Sequence, residues 1–244
     1  WRGPFFGTAT LMAVGFVAIM VLLDKTPPVV QRTTLSAPIR ALRHRGLLGL
    51  GLTALAYNFG FFTLLAFTPF PLGLDAHGLG YVFFGWGVLL AISSVFLAPF
   101  VRRRLGLLPA LYVAFSFVAA DLFAMAIWTS SQLALIVAVI AAGLFLGIVN
   151  TLVTESVMRV SPVDRPTASA AYSFVRFSGG AIAPWLAGKL AEWYDVHVPF
   201  AVGGAAVVLA IVVLALHRKH VTEGQPARRD ELDGALALTA EEAA

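Results

Sequence analysis

The sequence predicts an all-α, polytopic membrane protein, and three observations carry that prediction. Hydrophobic residues make up 59% of the 244 and charged residues only 12%, whereas soluble domains carry about 25% charge. Mean hydropathy is +0.86. Seven stretches reach the roughly 20 apolar residues that a spanning helix needs: Pro4–Leu23, Leu47–Phe70, Leu79–Phe100, Leu107–Trp128, Leu133–Val157, Thr167–Gly188 and Val198–Leu216.

The first stretch is too long for a signal peptide and lacks both a multiply basic leader and an A-x-A end. A chain that starts Trp1-Arg2-Gly3-Pro4, almost inside a membrane helix, reads as cut from something longer. The segment 24–46 is the longest connection and is basic. Its second half predicts a short amphipathic helix on the membrane surface, with Ser36 as N-cap, Pro38 in the first turn, and Ile39 and Leu42 opposite Arg40 and Arg43. An ordinary basic linker is the alternative. The remaining six stretches follow with shorter connections, punctuated by Gly and Pro as membrane helices tolerate. The polar tail 217–244, ending in Glu241-Glu242-Ala243-Ala244, is expected to be disordered.

Net charge is +4 and the isoelectric point is near 9.8. On a soluble domain this would raise nucleic-acid binding; here the basic residues sort by side instead. With the first helix running inward, fourteen of the 17 Lys and Arg fall in inner segments, Arg2 and Lys189 lie outside, and Arg176 lies within a helix. That is the positive-inside pattern, with the N-terminus of the segment outside and the C-terminus cytoplasmic. There is no cysteine, which removes disulfides, thiolate catalysis and Cys-ligated metals. No zinc-binding H-E-x-x-H, phosphate loop or nucleophile elbow occurs, and the five histidines show no ligand spacing. No enzyme activity, metal, cofactor or nucleic-acid partner is expected.

Several strings resemble the major facilitator superfamily in its drug:proton antiporter branch. Trp1-Arg2-Gly3-Pro4-Phe5-Phe6 is similar to the family's entry to helix six, and the basic linker resembles the loop joining its two halves. Arg102-Arg103-Arg104-Leu105-Gly106 resembles the basic loop between helices eight and nine, without the motif's usual Gly and Asp. Gly179-Gly180-Ala181-Ile182-Ala183-Pro184 with Gly188 resembles the glycine–proline pattern of helix eleven. The resemblance implies family helices six to twelve: 1–23 as the last helix of the N-terminal bundle, 24–46 as the cytoplasmic linker, 47–216 as the C-terminal six-helix transport bundle. The first five helices, and half the substrate cavity, would then lie outside this chain.

Charged groups at membrane depth are costly and raise functional suspicion. Arg176 and Glu155 form one candidate pair, serving as an inner gate or proton-linked ion pair together with Arg102 and Arg103. The alternative pairs Glu155 with Arg159 one turn on, and leaves Arg176 to backbone carbonyls or a substrate anion. Asp121 reads as a structural carboxyl. The resemblance puts Leu47–Phe70 and Leu133–Val157 beside the cavity, so Tyr57, Asn58, Phe61, Phe62, Asn150, Thr154 and Arg176 are the candidate substrate-binding residues. Tyr57 and Asn58 are equally readable as interhelical hydrogen-bonding groups. Gly143 and Gly147 read as close packing, as do Gly179, Gly180 and Pro184. Trp128, Trp193 and Tyr194 suit interfacial anchoring.

The expected function is the C-terminal part of a secondary transporter in the cell membrane, a proton-coupled exporter of hydrophobic drugs or small metabolites working by alternating access. Its partners would be the small-molecule substrate, protons, membrane lipids and the absent N-terminal helices. Two alternatives stay open: a proton-coupled importer of a small metabolite, and a seven-helix receptor. A retinal receptor needs a Lys in the last span, and Val198–Leu216 contains none.

Overall fold

The computed structural model describes residues 3–23, 34 and 36–223. The helices are α1 (Gly3–Leu22), α2 (Ala37–Ala41), α3 (Arg45–Phe67), α4 (Pro69–Leu72), α5 (Ala76–Ile92), α6 (Ala98–Leu105), α7 (Leu107–Ile127), α8 (Gln132–Val160), α9 (Arg165–Trp193), α10 (Val198–Leu216) and α11 (Arg218–Glu223), with a π-helical turn at Ser93–Leu97 between α5 and α6. Among the described residues there is no strand. This is an all-helical polytopic membrane protein. The described residues up to Thr34 belong to one compact unit and the helices from α2 onward to another.

In the first unit, α1 is apolar on every side rather than along one stripe, which suits surroundings of lipid or other helices. Thr10 hides its hydroxyl by donating to the Phe6 carbonyl at 2.9 Å.

In the second unit, stretches Arg45–Leu72, Ala76–Leu105, Leu107–Ile127, Gln132–Val160 and Val198–Leu216 are long and apolar enough to cross a membrane, as is Phe5–Leu22 in the first unit. The remaining expected span, the sixth in chain order, lies in α9. At 29 residues it is about 43 Å long, ample for a bilayer core, but Ser, Gly and Arg176 dilute its apolarity below that of the other six. One face of it packs closely on α3, and small residues serve such a contact better than large apolar ones.

Start signals are local. Asp75, Ser131 and Asp164 cap α5, α8 and α9 by accepting from the amides of Gly78, Ala134 and Thr167. His44 does the same for α3 through Nδ1. Gly106 turns the chain between α6 and α7 at φ +85°, where a side chain would be strained. Pro99 has no N–H to donate to the preceding turn. The ladder widens there into the π turn, with the Ala98 amide reaching back to the Ser93 carbonyl.

Packing follows a simple scheme. α3 lies against α9 and α10, α5 against α8, and α7 against both α8 and α10. Exchanging α3, α5 and α7 for α8, α9 and α10 maps this set onto itself. Gly46 at the start of α3 meets Val160 at the end of α8, so the exchanged helices α3 and α8 run antiparallel. This is the contact topology of two inverted three-helix repeats. Close approach is bought with glycine. A Cβ on Gly179 would collide with the Leu55 carbonyl of α3, and one on Gly143 with the Trp86 carbonyl of α5. Both seams are packing contacts.

Two boundary expectations change. Among its described residues, the segment before α3 is helical over Ala37–Ala41; Ser36 makes no side-chain cap, Ile39 is exposed, and Ala41 is buried. The apolar face is therefore turned toward α9, and Ile39 is not part of it. Residues 24–33 and 35 lie outside the described residues. The tail expected to be disordered from 217 begins instead with α11, which packs on α3 and α8 and buries Val221; residues 224–244 lie outside the described residues.

Candidate functional site

Tyr57 and Asn58 are neighbours on α3, so their side chains leave the helix about 100° apart and address different partners. Tyr57 donates to Asn150 Oδ1 on α8 at 3.1 Å and lies 3.4 Å, hydroxyl to hydroxyl, from Tyr172 on α9. Asn58 turns to α9. Its Nδ2 donates to the Arg176 carbonyl at 3.0 Å, and its Oδ1 accepts from Arg176 Nε at 3.3 Å. Arg176 then donates through a terminal nitrogen to Asn150 Oδ1 at 2.7 Å. Five side chains from three helices thus share one connected network.

The helices bring these groups to one depth. Counting from the ends that carry the arginine-rich connections, Arg176 stands about 16 Å along α9, Tyr57 and Asn58 about 18–20 Å along α3, and Asn150 about 15 Å along α8. The guanidinium also faces three rings, with its carbon 5.8 Å from the centroids of Tyr57 and Tyr172 and 5.3 Å from that of Phe177. Cation–π attraction of about 0.5–2 kcal/mol at each ring helps offset a cost of about 2.5–3.5 kcal/mol for arginine at the bilayer centre. Tyr57 and Asn58 are fully buried, Tyr172 is nearly so, and Arg176 and Asn150 are half-buried.

An aromatic wall adjoins the network. Trp86 stacks on Phe61 at 5.9 Å, Phe61 meets Phe62 edge-on at 5.0 Å, and Phe62 meets Phe177 edge-on at 6.4 Å. Phe61 is itself buried, so it backs the wall, while half-buried Phe62 and exposed Phe177 form its face. Gly180 makes room for this: a Cβ there would stand 2.7 Å from the Phe62 ring. Thr154 is exposed on α8, one turn beyond Asn150.

The expected Glu155–Arg176 pair does not form. Glu155 lies five residues nearer than Asn150 to the arginine-rich end of α8, about 7–8 Å along the axis, so Asn150 is the group level with Arg176. Glu155 is held instead by Arg102 of α6 at 2.9 Å and by Arg159 one turn on at 2.8 Å. Arg103 is exposed and, with Arg102, Gly106, Leu107 and Arg159, lines a cavity of about 310 Å³. Arg176 has no carboxylate within ion-pair distance among the described residues, and its side-chain acceptors are amide oxygens rather than backbone carbonyls. Asp121 is on α7, which contributes nothing to the network. Its Oδ2 is buried without a hydrogen-bond partner among the described residues. Trp128, Trp193 and Tyr194 sit exposed at helix ends.

Sequence reasoning missed Tyr172, Phe177 and Trp86. Tyr172 had a readable signal, since it precedes Arg176 by four residues and shares its helix face. Trp86 had none, because its partner Phe61 lies on another helix.

A bundle of long apolar helices in paired triplets, with a polar network partway along them, is an architecture shared by membrane transporter folds built from inverted repeats. The chain matches the Major Facilitator Superfamily over residues 1–184 and again over 71–241, and it belongs to that family. It is 50% identical over 221 residues to the multidrug efflux protein YfmO of Bacillus subtilis (strain 168), an alignment covering 91% of this chain and 56% of that protein. The chain therefore spans just over half the length of this relative.

Proposed function

We propose that the chain is the C-terminal part of a proton-coupled exporter of hydrophobic drugs or small metabolites, working by alternating access in the cell membrane. The observation that carries this reading is the Arg176–Asn58–Asn150–Tyr57 network at mid-depth beside the Phe62–Phe177 wall. A largely apolar surface with a few convergent polar groups suits lipophilic cargo, and the name of the Bacillus relative, a multidrug efflux protein, agrees with export. In this reading α9 crosses the membrane as the sixth of seven spans, and the arginine-rich ends of the helices face the cytoplasm. The 1–23 segment closes the N-terminal bundle, and helices preceding it complete the cavity. The Arg102–Glu155–Arg159 cluster holds the cytoplasmic side of α6 and α8 together as an inner gate.

The test uses the full-length protein, including its N-terminal helices, in cells lacking other efflux pumps and preloaded with the neutral dye Nile red. Energised cells should export the dye, and a protonophore should stop export. Absence of export, or export indifferent to the protonophore, would overturn the reading.

A further inference from the structure

A charge at membrane depth normally ends at an opposite charge. Arg176 does not. Among the described residues it meets only neutral acceptors, the Oδ1 atoms of Asn58 and Asn150, and the faces of three rings. None of these cancels its charge. A guanidinium has five N–H groups, and two of them are used by described residues. The acceptors hold Nε and one terminal nitrogen, so the fork is fixed in place while part of its donor set stays open. Arg176 is also half-buried rather than sealed, and it lies beside Phe177, which is 52% exposed.

We infer that the Arg176 network is a recognition site for amphipathic organic anions: an aromatic carboxylate whose acid group meets the free edge of the guanidinium while its ring lies on Phe62 and Phe177. This rests on the transport reading above and deepens it by naming a cargo class. The argument is electrostatic. A carboxylate accepts the unused donors in the planar, charge-assisted geometry that arginine favours. A lipophilic ammonium placed on the same wall meets an uncompensated positive charge at low dielectric and is repelled. A neutral ester gains only the wall. Asn58 and Asn150 suit this role because they orient the guanidinium without neutralising it, which an aspartate at either position would do.

The test compares three probes with one apolar body: 1-pyrenebutyrate, its methyl ester, and 1-pyrenebutylammonium. Binding to the full-length protein in lipid nanodiscs is followed by pyrene fluorescence anisotropy, with Nile red export measured in parallel. The expected result is butyrate binding at least ten-fold tighter than ester, with the ammonium weakest. Arg176→Gln should erase the butyrate preference, bringing butyrate binding to the level of the ester. Asn150→Asp, which keeps acceptor oxygens for Tyr57 and Arg176 but supplies the missing negative charge, should erase the same preference in a variant that retains its arginine. Equal binding of butyrate and ester by the native protein would overturn the inference, as would equal loss of all three probes in both variants. If Nile red export persists in that event, only the anion preference falls. If native protein exports no dye, the transport reading falls with it.

Discussion

Arg176 of α9 donates to Asn150 Oδ1 of α8 at 2.7 Å, and that same oxygen accepts from Tyr57 of α3 at 3.1 Å. One amide oxygen thereby ties three helices at a single depth. Hydrogen bonds between membrane helices average only about 0.6 kcal/mol, but losing this acceptor would strip Arg176 of its shortest hydrogen bond and leave the buried Tyr57 hydroxyl only the longer contact to Tyr172, at about 1–3 kcal/mol. The second effect dominates. Asn150→Leu is expected to destabilise by about 2 kcal/mol, read as a lowered midpoint of thermal unfolding in detergent. Tyr172→Phe, which loses only the longer 3.4 Å hydroxyl contact, should cost clearly less. Equal effects would mean that the network is not organised around Asn150.

The glycine seams make a sharper prediction because the backbone itself is the obstacle. A methyl at Gly179 meets the Leu55 carbonyl, and one at Gly143 meets the Trp86 carbonyl, whereas a methyl at Gly188 meets nothing within 4 Å. Overpacking costs about 1–3 kcal/mol, so Gly179→Ala and Gly143→Ala should each lower the unfolding midpoint. Gly188→Ala should be neutral or slightly stabilising, since alanine favours helix over glycine by about 1 kcal/mol. A uniform response across the three sites would contradict the close approach of α3 to α9 and of α5 to α8.

What the sequence discloses here is depth and type, and what it conceals is azimuth. Arg176, Asn58, Tyr57 and Asn150 are each conspicuous as polar groups inside apolar stretches, because bilayer energetics makes any such residue expensive. Their convergence is not legible, since Tyr57 and Asn150 are 93 residues apart and Asn58 and Arg176 are 118 apart. Pairing Glu155 with Arg176 satisfies charge alone. It fails because complementary charge says nothing about level, and one and a half turns of α8 separate Glu155 from the level of Arg176. The tail shows another limit. Val221 is a single apolar residue in a polar run, too little pattern to predict α11, yet it is buried against the bundle.

The Glu155 cluster should matter more to transport than to stability. Arg102 and Glu155 are 36% and 25% exposed, and partly solvated pairs contribute about 0–1 kcal/mol. Glu155→Gln should therefore shift the unfolding midpoint little while slowing Nile red export by the full-length protein, if the pair gates the inner side. Arg102→Glu should do the same. The charge exchange Arg102→Glu with Glu155→Arg should recover export only in part, because the new arginine stands one turn from Arg159 and is repelled by it. Full activity in both single variants would dismiss the cluster as a gate.

The start of α9 carries a pH dependence whose sign can be worked out. Asp164 accepts from the Thr167 amide at 3.1 Å, and hydrogen bonding to Thr167 holds its carboxyl below the ordinary value of 3.8. A carboxyl lowered on folding contributes stability that is complete above its unfolded value and lost as pH falls through the folded one. The cap should therefore be fully present at neutral pH and weaken below about pH 4, loosening the first turn of the helix that carries Arg176. Amide protection factors near Thr167, corrected for intrinsic exchange, should hold steady down to about pH 5 and fall as the pH drops below about 4 in native protein. An asparagine side chain does not titrate, so Asp164→Asn, which keeps a capping oxygen, should flatten that dependence, while Asp164→Ala lowers protection at every pH. Protection that falls equally in native protein and Asp164→Asn would trace the acid sensitivity to another group.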